Sequence, residues 1–241
     1  MATYVSLVNE LLTRLNEVPL DTGGNGFSTV RNVQALAKDA INSSVRRILQ
    51  DGQEWPFLKT IHTQTVTPAT RQYSFPTTYS SVDWDTFYIK QLSSQSNPPG
   101  PLKPIPYEQY IQVYRTVDDG GDLINGDGAP SIVYQTFGDE FGVTPVPDAA
   151  YEIEYVYWDV PADMVAYNDI CIIPDRFKHV LVDGAMMYMM RHRSNEQSAS
   201  IHQNNFEDGI KAMRRVLMDD AIEVRSTMIN RSSGVSNGGY F

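Results

Sequence analysis

The 241-residue chain has one cysteine, Cys171, so no disulfide can close within it. Cys171 stands in the apolar run "ICII" and reads as a small buried hydrophobe rather than a reactive thiol. Long apolar runs are also missing. "ICII" and "AMMYMM" fall far short of the ~18–20 residues of a membrane span. Met1-Ala2-Thr3-Tyr4 leads straight into a mixed polar and apolar helix, without the basic start and apolar block of a secretory signal. Synthesis in the cytoplasm and no membrane partner are expected. His62, His179, His192 and His202 show no metal-ligand spacing, and no G-x-S-x-G, P-loop or G-x-G-x-x-G occurs. The loop "DDGGDLINGDG" (118–128) fails the D-x-D-x-D-G calcium spacing in every register. No metal or cofactor is expected. Glu152 and Glu154 alternate with the apolar residues of a strand, which reads as a solvated outer face rather than a glycosidase pair. No catalytic constellation emerges, and an enzyme is not expected.

Basic charge is scarce where it would matter for nucleic acid. The net charge of −10 is unevenly spread: residues 1–59 balance, and residues 175–241 carry +1. Residues 60–174 hold four Lys or Arg against fifteen Asp or Glu, a net −11. Such a surface repels a phosphate backbone, which argues against a nucleic-acid clamp but not against DNA passing nearby without adhering. Arg191, Arg193, Arg214 and Arg215 sit among acids without interleaved aromatics, the pattern of a salt-bridged helix surface.

What is present is a change of period along the chain. Leu7, Val8, Leu11, Leu12 and Leu15 recur at helical spacing behind Thr3 as N-cap, until Pro19 and "DTGGNG" (21–26) make a connection. A second helix is expected from near Ser28-Thr29. Its face carries Val33, Leu36, Ala37, Ala40, Ile41, Val45, Ile48 and Leu49, with Arg46 and Arg47 near its negative end and Gly52 as C-cap. From 60 to about 160 the period is two: "TIHTQTVT", "RQYSF", "DTFYIKQL", "SIVYQTF", "EFGVTPVP" and "YEIEYVYW" read as strands. Tyr151, Ile153, Tyr155 and Tyr157 share one face. Five prolines between 98 and 106 mark a loop, and "YEQYIQVYR" (107–115) one short helix. After Pro174 the helical period returns, with Phe177, Val180, Leu181, Gly184, Met187 and Tyr188 in one stripe. "SNEQSAS" (194–200) interrupts it, and Phe206, Ile210, Met213, Leu217 and Val224 form a second stripe. The tail "NRSSGVSNGGYF" cannot support a core and should order only on a partner. The expectation is an α+β fold. Helices of 1–59 and 175–229 form one bundle, 60–174 an inserted antiparallel β-rich domain, and 230–241 a flexible tail.

Two large aromatics, Trp55 and Phe57, follow the end of the second helix with Pro56 between them. They fit a seam between bundle and β-domain, stiffened by Pro56, or the core of the β-region itself.

The stretch "GAPSIVYQTFGDEFGVTPVPDAAYEIEYVYWDVPADM" (128–164) resembles the strand core of head-to-tail adaptor proteins of tailed, especially short-tailed, bacteriophages. Their pattern is a glycine-x-proline strand entry, a strand ending in x-P-x-P, a tyrosine-rich strand and a following proline. Gly128, Pro130, Tyr134, Phe141, Gly142, Pro145, Pro147, Tyr151, Ile153, Tyr155 and Pro161 match it. Pro174, Phe177 and the run through Met190 match the family's next helix. "AINSSVRRILQDGQEWPF" looks like its second helix with a terminal W-x-F, and "PATRQYSFP" like its first strand pair. The resemblance spreads over about 200 residues, in the family's order, and leaves 91–106 unplaced.

It implies a structural virion protein in a twelve-copy ring beneath the portal protein. The ring would contact neighbouring adaptor subunits, extend the DNA channel and offer a platform to tail nozzle and tail fibre proteins. On that reading Asp118, Asp119, Asp122 and Asp127 face the channel or the distal tail surface. Arg231, Tyr240 and Phe241 anchor the tail on portal or subunit. A tail tube or nozzle component shares the same layout. A virion peptidoglycan hydrolase, the rival of another class, would need a carboxylate pair in a cleft.

Overall fold

Apolar residues three and four apart build the first helix, α1 (Tyr4–Arg14), which buries Leu7, Val8, Leu11 and Leu12 completely. In the computed structural model, which describes residues 1–51, 54–90, 100–115, 118 and 128–217, Thr3 holds the N-cap position without a side-chain capping bond. Its carbonyl accepts instead from Ser6 Oγ at 2.7 Å. Asn16, at φ 59°, ends the helix, and Asn9 exchanges two hydrogen bonds with Leu20 to fix the chain beyond Pro19.

The second helix, α2, spans Asn32–Leu49, starting later than the sequence pattern places it. Residues 24–29 are committed to turns, Phe27 N to Gly24 O and Thr29 N to Gly26 O, because Phe27 is buried. Lys38 clamps it: the ammonium donates to Phe27 O at 2.8 Å and lies 4.1 Å from the ring centre. Gly52, expected as the C-cap, lies outside the described residues.

A 3-10 turn (Pro56–Leu58) leads into β1 (Lys59–Val66), β2 (Gln72–Ser74) and β3 (Tyr79–Lys90). The proline-rich stretch, expected as loop, contributes two short strands, β4 (Gly100–Pro101) and β5 (Lys103–Ile105); residues 91–99 lie outside the described residues. A turn of α-helix, α3 (Tyr107–Gln109), continues as π-helix over Tyr110–Tyr114. Then come β6 (Ile132–Gln135), β7 (Glu140–Thr144) and β8 (Tyr151–Asp159). A second 3-10 turn (Asp175–Phe177) opens α4 (Lys178–His192), followed by α5 (Glu196–Leu217). Only Arg193–Asn195 separates these two, with Ser194 at φ 55°. The helix resumes at Glu196, inside the stretch expected to interrupt it.

The strands form two four-stranded sheets, ordered β1-β8-β3-β4 and β2-β7-β6-β5. All pairs are antiparallel except β5 with β6, which is parallel. Between the sheets lies an aromatic core: Tyr73, Phe75, Phe87, Phe141, Tyr151 and Tyr155 pack with Val66, Val133, Val143 and Ile153. The alternation Tyr151, Ile153, Tyr155, Tyr157 points entirely into it. Stacked and edge-on ring pairs, such as Phe87–Tyr155 at 4.6 Å, fill the interior.

The helices share a second core. α4 packs on α5, α2 and α1, and it is buried more widely than one stripe: Val182, Ala185, Met186 and Met189 join Val180, Leu181 and Met187. The fold is thus mixed α+β, with N- and C-terminal helices packed together and two sheets inserted between them.

Candidate interaction surfaces

The junction of the two cores is built by the residues that follow α2. Trp55 is fully buried and belongs to the helical core, not to the aromatic interior of the sheets. Its indole Nε1 donates to Ile48 O at 3.1 Å, and its ring stacks on Phe57 at 5.6 Å. The same core takes in Leu58 and Trp158, the latter from the end of β8. Lys59 Nζ sits 4.8 Å from the centre of the Trp158 ring. Beside them a cleft of about 430 Å³ runs between Leu49, Glu54, Leu58, Ser81, Trp158 and Pro161.

Polar ties reinforce the joint. Arg46 grips Asp163, just past β8, through Nε at 2.8 Å and Nη2 at 2.6 Å. These hydrogen bonds hold the Asp163 carboxyl below the usual carboxylate range. Asn42 donates to Met164 O at 2.9 Å, and Arg214 of α5 pairs with Asp51 beyond α2. Residues 2–4 lie against residues 169–171 through an isolated bridge of Thr3 with Ile170, with Tyr4 N to Asp169 O and Cys171 N to Ala2 O. The N-terminal ammonium reaches Asp175 at 2.6 Å and, chiefly by hydrogen bonding, lowers that carboxyl as well. Of the arginines of the last two helices, Arg193 pairs with Glu17 at 2.7 Å and Arg191 with the Gln203 amide at 2.8 Å. Burial pushes the Cys171 thiol up, keeping it protonated and inert.

Of the acidic loop, Asp118 is half-buried and accepts from Thr144 Oγ1 of β7 at 3.0 Å. Asp119, Asp122 and Asp127 lie outside the described residues, as do Arg231, Tyr240 and Phe241. Glu154 on the outer face of β8 pairs with Lys90 rather than with another carboxyl. Among the described residues no cluster of three or more His, Cys, Asp or Glu could hold a metal. No helix there is long and apolar enough to cross a membrane.

Apolar groups on the surface went unnoticed in the sequence, because a single hydrophobic in a turn, or on the solvent face of an alternating strand, carries no signal of its exposure. Phe137 is 82% exposed at the β6–β7 turn, where Gly138 adopts φ 81°, and its ring meets Tyr107 edge-on at 5.0 Å. Val165, Tyr167 and Ile170 project from a loop folded over Asp169, whose Oδ2 accepts from Val165 N and Ala166 N. Ile61 stands out from β1. Apolar side chains exposed on ordered backbone are equipped to dock onto protein surfaces.

No curated protein sequence matches the chain. The sequence profile described as SU10 adaptor protein matches residues 2–231, from before α1 through both sheets and past α5. With that match running through both the helical ends and the inserted sheets, the chain belongs to the SU10 adaptor protein family, a structural family of phage head-to-tail adaptors.

Proposed function

We propose that the protein forms the portal-proximal ring of a tailed phage and acts by binding alone. Identical subunits pack side by side beneath the portal protein, with twelve copies as the resemblance implies. One face of the ring grips the portal and the other receives tail nozzle and tail fibre proteins, while the bore continues the DNA channel. The observation that carries this reading is the family match over residues 2–231.

The joint around Trp55 supports it. Ring closure requires bundle and sheets to keep one angle in every copy, since a small error repeated around a ring prevents closure. A buried tryptophan, a stacked phenylalanine and the Arg46–Asp163 tie supply that stiffness. The net −11 of residues 60–174 keeps DNA from adhering where that region borders the bore, with Asp118, Asp119, Asp122 and Asp127 foremost. Tyr240-Phe241, helped by Arg231, is the tail's anchor on portal or subunit.

Negative-stain electron microscopy of the protein alone and mixed with its portal tests the reading. Largely monomeric protein alone, and a second ring stacked on portal in the mixture, are expected. Portal particles left undecorated would refute it.

A further inference from the structure

Three aromatic residues, Trp84, Tyr107 and Phe137, line one cleft of about 510 Å³, and each comes from a different element. Trp84 belongs to β3, Tyr107 opens α3, and Phe137 stands in the turn after β6. Trp84 lies where the pairing of β3 with β8 loses register between Asp83 and Tyr88, an irregularity of the kind that re-aims side chains. Thr86 pins that irregularity: its Oγ1 donates to Asp83 O at 2.6 Å and accepts from Val156 N at 2.9 Å. The Trp84 indole stacks on Phe87 at 5.4 Å and stays half-buried. The rings of Tyr107 and Phe137 stand at 72° to each other. Two rings near a right angle, with a third in the same cleft, suit a cation, because ring faces attract positive charge.

The charges agree. No Lys, Arg or His lines the cleft, and its one charged residue is the exposed Glu108. Asp83 and Asp85 flank Trp84 in β3, Asp139 follows Phe137 by two residues, and residues 60–174 together carry −11. An anion is repelled here and a cation attracted. The polar groups narrow the class of cation. Thr136 lines the cleft, is buried, and has no hydrogen-bond partner for Oγ1 among the described residues. The Gln135 amide and the Glu108 carboxylate offer further acceptors. A quaternary ammonium has no N–H to give them, whereas a guanidinium has five and its plane stacks on aromatic faces. Pro104 and Pro106 complete the lining with apolar surface, which suits the methylene stem behind such a head group.

We propose that this cleft binds an arginine side chain of a partner protein, guanidinium among the rings and stem along the prolines. The inference stands on the chemistry of the cleft and does not depend on the ring reading.

Titration of the full chain with Nα-acetyl-arginine methylamide, followed by amide and indole NMR shifts, tests it. The expected shifts fall on Trp84 Nε1–H and on the amides of Tyr107, Glu108, Thr136 and Phe137. The glutamine analogue of the probe should leave them in place. Choline and the bare guanidinium ion should each bind more weakly than the probe. Phe137→Ala and Glu108→Gln change exposed residues, so both variants should melt as wild type while binding the probe about fivefold or more weakly. Shifts absent from the cleft, or affinity unchanged in both variants, would overturn the site. Choline bound as tightly as the probe would overturn the guanidinium class. Guanidinium ion bound as tightly would show that no stem is read and overturn the side-chain source.

Discussion

Trp55 shows what one side chain contributes. It fills the space between α2 and the start of β1, and its indole N–H is satisfied by Ile48 O, so truncation removes that hydrogen bond and leaves a large cavity. Trp55→Ala is expected to cost about 3–5 kcal/mol in a urea titration. A midpoint equal to wild type would show that the joint does not depend on it. Gly184 is held by contact rather than by backbone conformation. A methyl group there would meet Ser44 Oγ and come within 2.7–2.8 Å of the Phe206 ring, where α4 passes between α2 and α5. Ser44 is itself buried and donates to Leu181 O at 3.0 Å, so it has little room to move. Gly184→Ala should therefore lose about 1–3 kcal/mol by overpacking, read from the same titration. A neutral or stabilising result would mean that the three helices slide apart freely.

At the scale of elements, the Arg46–Asp163 pair ties α2 to the segment after β8, and both partners are well exposed. Its contribution is therefore at most about 1 kcal/mol. The folded-state pKa of Asp163 lies below its unfolded value, so this stability is present above the ordinary aspartate range near pH ~4 and is lost as pH falls through the folded value. Asp163→Asn should lower the melting temperature slightly at neutral pH, and the two proteins should converge in strong acid. A difference that persists or grows in acid would show that the charge is not what binds the segment. The positions of the elements were mostly legible in sequence. The period-two runs are strands because alternate residues face an interior of fixed thickness. The start of α2 was not legible: Ser28 and Thr29 are good N-cap types, but burying Phe27 under Lys38 holds those residues in turns and delays the helix to Asn32. Tertiary burial outweighed the local capping preference, worth about 1 kcal/mol.

For the whole molecule, the consequences concern assembly. Removing residues 232–241 should leave the monomer's melting curve unchanged, because that composition supports no core of its own, while weakening its binding to portal. Under the proposed anchoring, ordering the tail costs roughly 1–2 kcal/mol per residue, and Tyr240-Phe241 would supply the offsetting gain. Truncated protein that decorates portal as fully as the intact chain would dismiss the anchor. Replacing Asp118, Asp119, Asp122 and Asp127 by Asn should slow genome release from assembled particles if the loop borders the channel. Unchanged ejection kinetics would put it elsewhere.

Composition and period alone established that helices bracket a strand-rich middle, that charge concentrates in that middle, and which residues of β8 face inward. These follow from spacing, because 3.6 and 2 residues per repeat decide which side chains share a face before any partner is known. The order of motifs from "AINSSVRRILQDGQEWPF" to Met190 resembles that of the adaptor family, a likeness to known sequences rather than a consequence of period. Only the tertiary structure decided that Trp55 belongs to the helical core and that Asp163 answers Arg46. Both depend on pairs distant in the chain, and no local pattern encodes a contact between residues 46 and 163. It also decided which strand is left at the edge. β1 and β8 both read as alternating runs, and the tertiary structure gives β8 a neighbour on each side and β1 only one among the described residues.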